Sequence, residues 1–197
     1  MHRTDSAKKE HFMSTATITL PTPGTYVIDK AHTEIGFVAR HLIGTKVRGR
    51  FTTFDGTLVI ADPPENSTLE AEADTASITT GVEMRDDHLR TNDFLDAPNN
   101  PKLTLKSTGL TRESDAEWKL YADLTIRGVT RPVVFDVEYH GSGPGMQPGS
   151  EAIGLSATTE IDRRDFGVSF NGMLDSGNIV VGNKVKLELE VEAGLQK

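Results

Sequence analysis

The sequence contains no cysteine. Disulfides, thiol nucleophiles and cysteine-based metal centres are therefore excluded. No apolar run approaches the ~18 residues of a membrane-spanning helix. The opening MHRTDSAKKEHF is polar and mixed in charge, and FMSTATITLP behind it is too polar for the ~7–15-residue apolar core of a secretory signal. A cytoplasmic location is the expectation, with Met13 as an alternative start. Positive charge is scarce: 21 Lys and Arg stand against 29 Asp and Glu, a net charge of −8. No basic stripe is visible, which disfavours a nucleic-acid partner and a loose electrostatic hold on anionic lipid. There is no long helical pattern, no internal repeat, and no HExxH or GxSxG to frame a catalytic centre.

Period-2 alternation dominates instead. In LEAEADT, Leu69, Ala71 and Ala73 face one way and Glu70, Glu72 and Asp74 the other. WKLYADLTIR places Trp118, Leu120, Ala122, Leu124 and Ile126 on one face, and VVFDVEY does the same with Val133, Phe135, Val137 and Tyr139. KVKLELEVE sets Val185, Leu187, Leu189 and Val191 against lysines and glutamates; EIGFVARHL is looser, with Ile35, Phe37, Ala39 and His41 sharing a face. The 18 glycines and nine prolines supply many turns. FDG at 54–56 and RGVT at 127–130 read as hairpin turns, DPPENS at 62–67 and GSGPGMQPGS at 141–150 as longer loops. A chain of 197 residues is long enough for one domain with a real core. The pattern predicts an all-β domain of about eight antiparallel strands, closed as a barrel or packed as a sandwich. Small inward residues (Ala39, Ala71, Ala73, Ala122, Ala157) leave room for a cavity unless larger neighbours fill it.

The segment GVEMRDDHLRTNDFLDAPNNP, 81–101, does not read as a strand. Asp86, Asp87, His88 and Asp93, joined by His32 or His41, could form an acid–base or metal site, since such chemistry pairs histidine with carboxylates. The structural alternative is one or two helical turns across a barrel end, with Met84, His88, Leu89, Phe94 and Leu95 inward. Asp86 and Asp87 would then favour the helix start, and Arg85 and Arg90 would tie neighbouring carboxylates or carbonyls. His41 reads as a satisfied core histidine, and His32 as the partner in a turn hydrogen bond. The charges of RRDFGV, 163–168, would pair among themselves or with residues 85–93.

Several stretches in order resemble the YceI-like, or polyisoprenoid-binding, family: YVIDKAHTEIGFVARHLIGTKVRGRFTTFDG at 26–56, MRDDHLRTNDFLDAPNNPKLTLKS at 84–107, LTIRGVTRPVVFDV at 124–137, IDRRDFGV at 161–168 and the final VGNKVKLELEVE. The resemblance implies a single lipocalin-like β-barrel over 25–192 with a short helical lid. Residues 1–24 would be a flexible extension and 193–197 a tail. It also implies a non-catalytic protein that binds or carries a long isoprenoid-type lipid, that needs no metal or cofactor, and that often forms homodimers. Many relatives are exported, and no signal is recognisable here. Phe37, Ala39, Ala71, Leu120, Ala122, Leu124, Val137 and Leu155 would line the apolar channel. Arg85, Asp86, His88 and His41 would border its mouth or a polar head group. Two alternatives share the barrel: an isoprenoid quinone carrier with a redox or stress role, and a hydrolase or isomerase using Arg85, Asp86 and His88.

Overall fold

The computed structural model describes residues 18–41, 44–145, 149–172 and 180–196. Its strands are β1 (Gly24–Ile28), β2 (Glu34–His41), β3 (Thr45–Phe51), β4 (Phe54–Ile60), β5 (Thr68–Asp74), β6 (Ile78–Thr79), β7 (Lys102–Arg112), β8 (Glu117–Ile126), β9 (Val129–Pro144), β10 (Glu151–Asp162) and β11 (Val181–Leu195). One α-helix, α1 (Glu83–Arg90), lies between β6 and β7. All ladders are antiparallel, and eight strands close a ring in the order β1-β4-β5-β7-β8-β9-β10-β11 and back to β1. Closure leaves no open edge in the ring. β11 is long enough to pair twice: its last residues meet β1, and Val181–Glu190 pair with β2, which continues into β3 and β6. The all-β barrel and the short helix agree with the alternation and with the non-strand character of 81–101.

The alternation sorts side chains as predicted along β8 and β9. Trp118, Leu120, Ala122, Leu124, Ile126, Phe135 and Tyr139 are buried, while Tyr121 and Val134 face solvent. A one-residue slip would exchange the two sets, so this pattern holds the register. The β8–β9 turn falls at Arg127–Gly128, with φ of 51° and 70°. That is the left-handed pair a tight two-residue hairpin needs, and Gly128 adopts it without a side-chain penalty. The other turn signal was misplaced. FDG lies at the start of β4, and the chain only bends at Thr52–Thr53, since the ladders give β3 and β4 the same direction. Phe54 is buried where it begins β4, so its burial overrides the local turn preference of Asp-Gly. β9 also extends into the glycine-rich stretch as far as Pro144, leaving a shorter connection than 141–150; residues 146–148 lie outside the described set.

β11 runs beyond the boundary drawn at 192. Ala193, Gly194 and Leu195 pair with Ile28, Val27 and Tyr26, so these residues help close the barrel. Two apolar clusters stack inside it. One gathers Leu103, Leu105, Leu124, Phe135, Ile161 and Phe166; the other gathers Tyr26, Phe54, Trp118, Tyr139 and Ile153.

Candidate ligand channel

The interior is not filled. A cavity of about 200 Å³ lies at the α1 end, walled by Phe37, Ala39, Leu89, Phe94, Leu124 and Phe166 among others. A second, of about 140 Å³, lies toward the other end against Leu20, Leu58, Trp118, Leu120, Val137 and Leu155. Ile28, Ile35, Ala71, Leu105 and Leu189 wall both, so the two are chambers of one tube that meet at these side chains. Ala71 sits opposite Gly56 on β4 and Leu105 on β7. Gly56 makes room there for Ile28, since a Cβ at Gly56 would lie 2.3 Å from Ile28 Cδ1.

Of the residues expected along the channel, Phe37, Ala39 and Leu124 wall the first chamber, Leu120, Val137 and Leu155 the second, and Ala71 both. Ala122 walls neither. It is 1% exposed and packed within the first apolar cluster, so its methyl is covered by neighbours rather than by space. Ile35 and Leu189 at the junction were read as facing inward but not assigned to the channel; Ile28 and Leu105 were not singled out, although Leu105 lies in the alternating run KLTLK that could have flagged it.

The residues expected at the mouth are placed differently. Asp86 is 5% exposed, and its carboxylate turns back to accept from the Thr79 hydroxyl at 2.8 Å, the Thr80 backbone N–H at 2.8 Å and the Thr80 hydroxyl. Burial alone would raise its pKa, but these donors and the nearby Arg90 outweigh it and hold the carboxyl below its ordinary value. Arg85 donates to the Thr80 hydroxyl at 2.6 Å and to the Thr80 carbonyl at 3.1 Å. Both side chains thus pin α1 to β6. Arg90 does the same through the carbonyls of Ala76 and Ile78, at 2.8 and 2.7 Å. His88 lies on the exposed side of the helix. Its Nε2 is 2.8 Å from Asp93 Oδ2, and its ring meets Phe94 and Phe170 edge-on at 5.0 and 5.1 Å.

Arg85, Asp86 and His88 wall neither chamber. Asp86 and His88 do not share a partner: Asp86 serves threonines, His88 serves Asp93. Leu89, Phe94 and Leu95 are the lid residues that reach the cavity. Met84, expected inward, is 84% exposed, because eight residues of helix present only one narrow stripe to the barrel and Leu89 occupies it. His41 is also corrected. It ends β2 half-exposed, opposite Thr45 and Val181, where the strand leaves the core.

Arg163 is a wall residue that spacing did not reveal. It is 6% exposed and borders the first chamber, and its guanidinium donates to the carbonyls of Gly182, Val168 and Phe170 at 3.1, 3.0 and 2.8 Å. Arg164 instead pairs with Asp162 at 2.7 Å. The described residues contain one group able to present three metal-ligating atoms together, Asp29, His32 and Glu192. His32 Nδ1 is 2.9 Å from Asp29 Oδ2, the turn bond expected of it, and none of the three borders a chamber.

A second polar group closes the far end. Glu151 accepts from the Thr22 N–H at 3.0 Å, from the Thr22 hydroxyl, and at 3.0 Å from the Tyr26 hydroxyl, which also lies 2.9 Å from Thr22 O. Burial pushes Glu151 upward, yet the donors around it win and keep it below an ordinary glutamate. Burial, reinforced by the same carboxylate, pushes the Tyr26 hydroxyl well up.

The model of the YceI-like domain matches residues 26–193. The chain belongs to the YceI-like family. A UPF0312 protein of Staphylococcus aureus strain N315 is 35% identical over 174 residues, covering 87% of this chain and 98% of that protein. The crystal structure of the YCEI protein of Campylobacter jejuni is 29% identical, with a TM-score of 0.70, covering 86% of this chain and 96% of that one. A polyisoprenoid binding domain from Saccharophagus degradans shares the fold at 12% identity and a TM-score of 0.64, covering 89% of this chain and all of that one. The YceI-like barrel therefore extends across nearly all the described residues.

Proposed function

We propose that this protein binds one long apolar lipid of the isoprenoid type along the tube, and performs no chemistry on it. The observation that carries the reading is the pair of adjoining apolar chambers inside a closed barrel. A branched polyprenyl chain suits the lining, which is built from aliphatic and aromatic side chains with few polar atoms. The protein's likeness in fold to the polyisoprenoid binding domain from Saccharophagus degradans supports the same ligand class. Affinity would come from burial, roughly 0.8 kcal/mol for each CH₂ removed from water, reduced by the cost of ordering a flexible chain. The partners of Asp86 and Arg85 support a structural role for the lid.

The test is native mass spectrometry of freshly purified protein, followed by organic extraction and by titration with prenyl alcohols of increasing length. A co-purifying prenyl lipid, or affinity that climbs with length and then levels off, is the expected result. Absence of any bound lipid together with no prenyl-alcohol binding at any length overturns the reading. A substrate whose turnover is lost in His88→Gln overturns its non-catalytic part.

A further inference from the structure

The tube has two ends, and they are closed by different means. At the α1 end the closure is a folded element. Its helix is anchored by the buried Asp86 carboxylate and by Arg85 and Arg90, and Phe94, whose carbonyl accepts from Arg127 Nη1 at 3.1 Å, is 8% exposed. At the other end the closure is the extended segment 18–23, which precedes β1. Leu20 and Pro21 form one side of the second chamber there, and Ile60, Pro64 and Thr68 form the other. Among the described residues, no backbone-to-backbone hydrogen bond outside the strand ladders holds residues 18–22 to the barrel. Side chains do the holding. Glu151 takes both donors of Thr22 and shares the Tyr26 hydroxyl, and the Tyr139 hydroxyl donates to Thr19 O at 3.0 Å.

We propose that the segment 18–23 is a gate through which the ligand enters and leaves, and that Glu151 is its latch; this rests on the lipid-binding reading above. Two features fit a gate better than a permanent wall. Leu20 is 37% exposed, so the segment covers the chamber without being buried by it. Gly24 already pairs with Ile60 as the first residue of β1, so residues 18–23 lie outside every ladder and can lift while β1 stays paired. Lifting the segment breaks the side-chain bonds at Glu151 and Tyr139 and uncovers Leu20 and Pro21, with every ladder of the barrel intact. Opening the α1 end would instead expose a buried carboxylate and unseat Phe94, Leu95 and Leu89. Segments with few buried contacts and few backbone bonds open at lower free energy than the elements around them.

The experiment measures exchange of a fluorescent prenyl probe by stopped flow, alongside its equilibrium affinity. Glu151→Ala and, separately, Tyr139→Phe are expected to speed uptake and release together, by about tenfold for the first and less for the second, because one bond rather than several is lost. Affinity of Glu151→Ala should stay within about threefold, since Glu151 walls neither chamber. The chain has no native cysteine, so Thr22→Cys with Glu151→Cys gives a clean pair for a short thiol crosslinker. Crosslinking should slow exchange at least tenfold, on the order expected for a closed route, with reversal on cleavage of the linker. Hydrogen exchange without ligand supplies a second readout. The Thr22 amide should exchange faster than the amides of α1, and faster still in Glu151→Ala. Normal affinity with unchanged rates in the variants and in the crosslinked protein overturns the gate and leaves the lipid reading standing. Failure of the wild-type protein to bind any prenyl probe overturns the lipid reading, and the gate with it.

Discussion

Ala71→Trp tests whether the two chambers act as one channel. Ala71 borders both, opposite Gly56 and Leu105, so an indole at this position projects into the junction. An aromatic side chain of this kind covers about 150–250 Å² and would fill a constriction between chambers of about 200 and 140 Å³. The space that receives the ring is already present, so the overpacking cost should stay near the low end of the ~1–3 kcal/mol seen in filled cores. The consequence for a ligand is larger. A prenyl chain that spans the junction in the wild type would be confined to one chamber. Each isoprene unit shut out carries five carbons, and at roughly 0.8 kcal/mol per carbon this amounts to about 4 kcal/mol before ordering costs. Those costs cut the observable loss to about ten- to a hundredfold in Kd per unit. The assay is the affinity of a homologous series of prenyl alcohols, with a thermal melt to confirm folding. In the wild type, affinity should rise with length across both chambers. In Ala71→Trp it should match the wild type for the shortest alcohols and stop rising earlier. An unchanged plateau length in a folded Ala71→Trp protein would falsify the continuous channel. The same substitution at Ala122 is expected to unfold or strongly destabilise the barrel instead, since Ala122 has no cavity beside it.

Asp86→Asn should cost about 2–3 kcal/mol in denaturant unfolding, because it replaces a buried, charged acceptor of several hydrogen bonds. His88→Gln, at a half-exposed position, should cost under about 1 kcal/mol; equal losses would mean that the lid is not anchored through Asp86. Asp86 and Glu151 both have folded pKa values held below their unfolded ones, so each contributes stability at neutral pH that is lost as pH falls below the ordinary carboxyl range. Glu151→Gln should therefore flatten the acid limb of a stability–pH curve, and an unchanged limb refutes that assignment. His32 has the opposite sign: hydrogen bonding to Asp29 raises its pKa, so its contribution is present in acid and fades as pH rises through the raised value. Its titration by NMR should move back toward ordinary histidine in Asp29→Asn. Prenyl-alcohol affinity should be unaffected by chelator and vary less than about twofold with moderate salt, as burial rather than charge drives it; a loss in chelator would point to a metal at the ligand.

What the sequence determined by itself is which way side chains face. Strand residues alternate with period 2 whatever surrounds them, so the inward sets of β5, β8, β9 and β11 could be read directly. The left-handed turn at Arg127–Gly128 was legible for the same reason, since turn chemistry is local. Tertiary structure decided depth and neighbours. Leu120, Ala122 and Leu124 share one face of β8, yet only the two leucines meet open space, because the curvature of the barrel and the side chains across it place the void. Period misled at Met84, where a short helix had room for one buried stripe, and turn chemistry misled at FDG, where burial of Phe54 outweighed the local signal. The groups that close the tube lay furthest out of reach. Thr22 and Glu151 are 129 residues apart, and the guanidinium of Arg163 is held by carbonyls, which carry no side-chain signature at all. Periodicity reports a face, but a channel and its gate depend on which faces the closed ring brings together.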